Sequence, residues 1–319
     1  MKVIKQIRER AASQNKRIVL PRSSDPRVVE AAKYLERQAL CEVILIQNEN
    51  AVVDDIKGIE LIIPGQSKQL ETYARDFYER RKHKGISIEE ARQILLDPLY
   101  FGAAMVAAGD ADGCVAGSVS TTGDVLRAAI QTIGLQEGSE VVSSIFLMSF
   151  EDGRNYTYGD CAVVPYPNAD QLATIAADSA NTHQRLTGEV PKVAMLSFST
   201  KGSAEHERIE LVRAALQKIK NNNPDLMVDG EMQFDAAIIE NVAQRKAPAS
   251  EVAGQANVFI YPNLDAGNIA YKITERLAGA TATGPVIQGL AKPMMDLSRG
   301  CSWEDIVNTV CVCSLMSER

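Results

Sequence analysis

Short apolar runs alternate with longer amphipathic stretches along the whole chain, and this alternation constrains the fold more than any other feature. KRIVLP (16–21), CEVILIQ (41–47), IELIIP (59–64), DGCVAGSV (112–119), KVAMLSF (192–198), NVFIYP (257–262) and TGPVIQG (283–289) read as strands. Segments of helical period lie between most of them. Strands separated by helix-length segments need crossover connections, which pair them in parallel and lay helices on the sheet faces. The expected class is therefore α/β with mostly parallel sheets. SSIFLMSF (143–150) and GDCAVVP (159–165) are separated only by EDGRNYTY, which reads as a turn and predicts one antiparallel pair.

Helix starts are written locally. Asp25-Pro26 is an N-cap followed by a first-turn proline. Ser87 with Glu90 fits a capping box, and so does Ser302 with Asp305. In STKGSAEHE (199–207), Ser203 reads as an N-cap with Glu207 in the first turns.

At 319 residues the chain is long enough for two domains. It has no low-complexity linker, so the boundary must come from topology. The polar stretch GLQEGSE (134–140) and the segment around Ile287–Lys292 are the candidates. They predict a discontinuous first domain, 1–138 plus 290–319, and a second domain, 139–289, with ligands in the cleft between them.

Hydrophobic content of 45% and charged content of 24% are ordinary for a globular enzyme. The net charge of −7 argues against a nucleic-acid partner. No stretch reaches the roughly 18 uninterrupted apolar residues of a membrane helix. The charged N-terminus MKVIKQIRERAASQNK lacks the apolar core of a secretion signal, so a cytoplasmic location is expected. The six cysteines are irregularly spaced and read as free thiols, and the three histidines form no metal-ligand spacing.

Motif absences narrow the chemistry. The chain has no GxxxxGK[ST], no GxGxxG and no GxSxG. Instead it carries sets of hydroxyls and arginines. SVSTTGDVLRAAI (118–130) places Thr121, Thr122 and Asp124 at a helix start that also carries Arg127, which suits a phosphate. A solvated, capped surface helix explains the same residues equally well. ERRKHKG (79–85) is a basic cluster at a helix end. MVDGEMQFDAAI (227–238) gathers Asp229, Glu231 and Asp235, but no second acidic cluster completes a divalent site, and no metal is expected.

MMDLSRGCSWEDI (294–306) holds Ser298, Arg299, Cys301 and Asp305 close together. Its capping box accounts for Ser302 and Asp305 as helix grammar. Arg299 does not fit that account, because a cation before a helix N-terminus opposes the dipole unless an anion is expected there.

Taken together, DLSRGCSWEDIV, STTGDVLRAA, RRKHKG, VDGEMQFDAA, YPNLDAGNIAYK and GPVIQGLAKPMMDLSRG occur in the order seen in phosphate acetyltransferases, and the chain resembles a short-form member of that family over essentially its full length. The resemblance implies two α/β domains similar to those of isocitrate and isopropylmalate dehydrogenases. It implies a homodimer, functionally coupled to acetate kinase. It further implies reversible acetyl transfer between acetyl phosphate and coenzyme A, with no metal and no tightly bound cofactor. The family's catalytic serine and arginine fall on Ser298 and Arg299, and its acidic base on Asp305. Its two further phosphate-site arginines match Arg81 (or Arg80, if the register slips by one) and Arg127, and Thr121, Thr122 and Cys301 of the same motifs are read as further substrate-binding residues. A further thiol matches Cys161. Where family members commonly carry alanine and proline around the Arg127 position, this chain has Gly123 and Ala128.

The mechanism these residues support is attack of the coenzyme A thiolate on the acetyl carbonyl in a ternary complex. An ordinary carboxylate and an ordinary thiol differ by about 4.5 pKa units, or roughly 6 kcal/mol. Proton removal concerted with attack, or a thiolate stabilised by the site, relieves that gap. The alternatives are a phosphate butyryltransferase or other acyl-phosphate transferase and, in a different class, a non-catalytic acetyl-CoA-sensing module.

Overall fold

The computed structural model describes residues 2–48, 56 and 58–317. In chain order the first part runs α1 (Lys2–Gln14), β1 (Arg17–Leu20), α2 (Pro26–Arg37), β2 (Glu42–Ile46), β3 (Glu60–Ile62), α3 (Leu70–Arg81), α4 (Ile88–Ile94), α5 (Pro98–Ala108), β4 (Gly113–Ala116) and α6 (Thr122–Thr132). The middle part runs β5 (Ser143–Ser149), β6 (Asn155–Gly159), α7 (Ala169–Thr187), β7 (Val193–Leu196), α8 (Glu207–Asn222), β8 (Val228–Met232), α9 (Phe234–Ile238), α10 (Glu240–Lys246), β9 (Val258–Ile260), α11 (Leu264–Ala278) and β10 (Thr281–Gln288). The chain closes with β11 (Met294–Asp296) and α12 (Trp303–Met316).

It divides into two compact units, Ile4–Glu137 with Leu290–Arg319, and Met1–Val3 with Gly138–Gly289. The first is built on a five-stranded sheet in the order β11-β4-β1-β2-β3, parallel throughout. Adjacent residues of a strand face opposite ways, so Ile18 and Val19 report its two faces. Cys313 of α12 lies over Gly113 and Ile18, whereas Gly102 of α5 lies against Val19, Cys114 and Ile46. Helices thus cover both faces, as buried parallel strands require. On the α12 side, Tyr34 of α2 packs on Trp303 with ring centroids 5.1 Å apart.

The second unit has a six-stranded sheet, β10-β5-β6-β9-β7-β8, with two antiparallel pairings (β10–β5 and β5–β6) and parallel ones elsewhere. Val193 and Met195 join the core under α7 and α8, while Ala194 and Leu196 join the core on the other face. Among the described residues no helix is long and apolar enough to cross a membrane.

Several elements differ from the sequence reading. GDCAVVP is not a strand: β6 is NYTYG, and residues 160–165 form a loop. The buried carboxylate of Asp160 organises that loop by accepting from the backbone N–H groups of Ser144, Ala162, Val163 and Val164. The expected antiparallel pair forms, one segment earlier. Helix α5 has no polar stripe, because it is buried along most of its length, and so it leaves no amphipathic period to read. Ser203 closes a turn by accepting from Thr200 N–H, and α8 begins later, at Glu207, with His206 as N-cap. The capping boxes at Ser87/Glu90 and Ser302/Asp305 form as read.

The carboxyl ends of β4 and β11 meet in a tight contact. Gly117 has φ of +108°, and a Cβ there would stand 2.3 Å from Asp296 Oδ1 and 2.5 Å from Leu297 N. Asp296 is 2% exposed, accepts a 2.6 Å hydrogen bond from Thr122 Oγ1 on Oδ2, and has no hydrogen-bond partner on Oδ1 among the described residues. Burial pushes its pKa up to about 6, with the Thr122 hydroxyl a smaller opposing influence. We predict that Gly117→Ala lowers unfolding free energy by more than about 2 kcal/mol in urea titration, from left-handed strain and overlap together. Asp296 binds its proton more tightly folded than unfolded. Its contribution to stability therefore falls as pH rises from about 4 through 6. Asp296→Asn, which cannot titrate, should gain on the order of 2–3 kcal/mol relative to wild type between pH 4 and 7. Parallel stability curves for the two proteins would refute this.

Candidate active site

In an open parallel sheet, ligands bind beyond the carboxyl ends of the strands. At that edge of the first sheet the chain leaves β11 through Leu297 and turns into α12, exposing Ser298, Arg299 and Gly300. Ser298 sets the turn, its carbonyl accepting from Cys301 N–H at 3.0 Å and its Oγ from Gly300 N–H at 3.2 Å. The guanidinium of Arg299 has no partner among the described residues, so a full positive charge stands in front of a helix N-terminus. Cys301 is buried, and desolvation raises its thiol pKa.

Asp305 occupies the third position of α12. Ser302 N–H and Ser302 Oγ–H both donate to its Oδ2 at 2.9 Å, and Asp305 N–H donates back to Ser302 Oγ at 3.1 Å. The capping box thus holds one carboxylate oxygen. Among the described residues Oδ1 has no hydrogen bond and is open to solvent or ligand.

The neighbouring strand β4 leads to the start of α6. There both threonine hydroxyls are engaged within the protein. Thr121 Oγ1 donates to Asp124 Oδ2 at 2.7 Å, and Thr122 Oγ1 donates to Asp296. Both hydroxyl protons are committed within the protein. What this helix start offers an anion is the backbone N–H groups of Thr122 and Gly123, since that of Asp124 is capped by Thr121. Arg127 pairs with Asp124 at 2.8 Å on an exposed face, and the Asp124 carboxyl is held low chiefly by the Thr121 hydroxyl and also by Arg127. An anion bound by Arg127 would compete with Asp124 for it.

Arg81, the last residue of α3, is half-buried and without a partner among the described residues. Tyr100 of α5 packs edge-to-face on Phe77 of α3, with ring centroids 5.9 Å apart, and its hydroxyl donates to Gln131 Oε1 of α6 at 3.2 Å, so the helices that carry Arg81 and Arg127 flank the same side chain. Arg80 instead donates to the carbonyl of Ile133 at 3.3 Å, which favours Arg81 as the available guanidinium.

Ser298, Arg299, Cys301 and Asp305 therefore form one local cluster, while Arg81 and Arg127 stand on α3 and α6, the two helices that flank Tyr100. The bond from Thr122 to Asp296, two residues before Ser298, ties the α6 start to the strand that carries the first cluster. In the second unit, Cys161 is buried, and its carbonyl accepts from Asn268 Nδ2 at 3.0 Å. The acids read as weak metal candidates are engaged by cations: Asp229 with Lys201, Glu231 with Arg213 at 2.9 Å, and Asp235 with Lys246 at 2.9 Å. No group of three or more potential ligands occurs among the described residues.

Sequence reasoning passed over Asp25, Arg27, Ser118 and Asp296. Asp25 and Arg27 lie in SSDPR, where the Asp-Pro pair has a sufficient explanation as a helix start. That explanation holds, since Asp25 Oδ1 accepts from Arg27 N–H at 3.0 Å. Asp296 sits inside the MMDLSRG run, but its burial and its bond to Thr122 have no local signature.

The chain is similar to known proteins over its whole length. The family profile described as phosphate acetyl/butaryl transferase matches residues 2–314. The phosphate acetyltransferase of Thermoanaerobacterium thermosaccharolyticum is 46% identical, covering 100% of both chains. The solved structure of the EutD phosphotransacetylase from Staphylococcus aureus superposes with a TM-score of 0.93 at 41% identity, over 99% of this chain and 98% of that one. At the level of fold alone, 4-hydroxythreonine-4-phosphate dehydrogenase from Klebsiella pneumoniae matches with a TM-score of 0.52 at 10% identity, over 95% and 100% of the respective chains. A family match over residues 2–314, with a relative at 46% and a solved structure at 41% identity along nearly the whole chain, makes this protein a member of the phosphate acetyl/butaryl transferase family, an acyltransferase.

Proposed function

We propose that the protein is a phosphate acetyltransferase, moving an acetyl group reversibly between acetyl phosphate and coenzyme A. The observation that carries this reading is the SRGCSWED turn. Over eight consecutive residues at the carboxyl end of a parallel strand it presents a serine hydroxyl, a guanidinium without a partner among the described residues, and a carboxylate with one oxygen unengaged among them. In the forward step Arg299 holds the phosphate of acetyl phosphate through charge-assisted hydrogen bonds. Arg81, Arg127 and the first amides of α6 take further phosphate charge. Asp305 Oδ1 accepts the thiol proton as sulfur attacks the acetyl carbonyl, so proton loss and C–S bond formation proceed together. The Ser298 hydroxyl, whose oxygen already accepts from Gly300 N–H, turns its proton toward the oxyanion. The C–O bond to phosphate then breaks, and phosphate leaves on the arginines.

The capping box supports Asp305 as the base. Because Oδ2 is anchored to Ser302, the side chain keeps one orientation and Oδ1 is presented in a fixed direction. Cys301 is buried with its pKa raised, which suits packing and disfavours a nucleophilic role. The family resemblance extends the reading to a cytoplasmic homodimer working beside acetate kinase, without a tightly bound cofactor, and to the two units acting as its domains.

Arg299→Ala and Asp305→Asn should lose most acetyl-CoA formation while keeping the wild-type circular dichroism spectrum. Near-normal turnover in either would remove that residue from the chemistry. Ser298→Ala should lower kcat on the order of 10²-fold with little change in KM. Relative kcat/KM for acetyl, propionyl and butyryl phosphate tests the acyl assignment. A preference for butyryl phosphate would make the protein a butyryltransferase.

A further inference from the structure

One arginine near the site has no N–H left for a substrate. Arg27, in the first turn of α2, uses all five of its guanidinium donors inside the protein. Nε donates to Asp25 Oδ1 at 3.1 Å, and Nη2 donates to Asp25 Oδ2 and to the carbonyl of Ser118, both at 2.9 Å. Nη1 donates to the carbonyls of Arg299 and Cys301, both at 2.8 Å. Its anchor Asp25 is buried. Burial opposes the ionisation of Asp25, yet the hydrogen bonds from Arg27 hold its carboxyl below the ordinary carboxylate range.

The placement of these acceptors gives the contact its meaning. Asp25 follows β1, Ser118 follows β4, and Arg299 and Cys301 follow β11, and these three strands are neighbours in the sheet order β11-β4-β1. A single planar group therefore bridges three adjacent strand ends. The two carbonyls of the SRGC turn face it rather than solvent, which sets the orientation of the backbone from which Ser298 and Arg299 project. Only a guanidinium carries five donors in a rigid fork; a lysine ammonium has three donors on one atom and cannot reach a carboxylate and three separate carbonyls.

We infer that Arg27 is the positioning residue of the acyl-transfer site: it clamps the Arg299–Cys301 turn to the loops after β1 and β4, and so holds Ser298 and Arg299 in working geometry without touching substrate. This rests on the activity proposed above.

The test compares wild type, Arg27→Lys and Arg27→Ala in acetyl-CoA formation and in amide hydrogen exchange. Displacement of about 1 Å at a reacting group costs on the order of 10²-fold. Both variants should lose about that much kcat while KM for coenzyme A moves by no more than roughly threefold. Added methylguanidinium should restore at least about tenfold of the kcat lost by Arg27→Ala, and methylammonium should restore none, since only the former reproduces the fork. In Arg27→Lys, the Gly300 and Cys301 amides should exchange faster while amides in the middle of α12 keep their wild-type rates. A Lys variant with kcat within about twofold of wild type overturns the inference, as does a loss of kcat with unchanged exchange at Gly300 and Cys301. If the Ala variant does not fold, the Lys variant decides by the same two measurements. A wild-type protein that forms no acetyl-CoA would defeat the activity reading alone. The exchange rates would still judge the clamp.

Discussion

An all-parallel sheet has one carboxyl edge, and the rest of this site depends on that constraint. Every strand of β11-β4-β1-β2-β3 must be returned to the opposite edge before the next can pair, so the segments that follow the strands gather on one side. The first turn of α2, the start of α6 and the SRGC turn are consequently neighbours, although they come from residues near 25, 120 and 300. The pairing of β11 beside β4 brings the last of these into place. Gly117 and Asp296 show how close the approach is, since no side chain larger than hydrogen fits between the two strand ends.

At that edge, structural and chemical demands are met by the same groups rather than by competing ones. The Ser302–Asp305 box begins α12 and at the same time fixes a carboxylate with one oxygen open. Thr122 starts α6 and satisfies one oxygen of the buried Asp296. Arg27 follows the Asp25 cap of α2 and spans three strand ends with its fork. Arg299, without a side-chain partner among the described residues, stands before a helix N-terminus, the least favourable place for a cation unless an anion binds there. Local strain of this kind, retained beside well-satisfied neighbours, is what a binding site looks like energetically.

Much of this was legible in the chain. Strand-helix alternation indicated the class, and cap chemistry placed the starts of α2, α4 and α12 to the residue. Recognition of the SRG and Asp305 motif rested on family resemblance, while its suitability for anions followed from Arg299 alone. The misreadings have physical causes. Helix α5 is apolar all round, so periodicity was silent. GDCAVVP has strand composition, but Asp160 captures the amides that a ladder would need, while Tyr156 and Tyr158 make the strand from what looked like turn residues. β8 and β11 are short and carry acids that make sense only when buried among partners.

By itself the sequence determined the alternation of elements, the caps that start the helices, and the order of hydroxyl, guanidinium and carboxylate in residues 298–305, because each depends on neighbours within a turn or two. Tertiary structure alone decided that Thr122 spends its proton on the buried Asp296 and that Arg27 rather than a nearer residue holds the SRGC turn. Those outcomes depend on which strand ends lie side by side. Hydrogen bonds between residues more than a hundred positions apart leave no periodic trace in a chain.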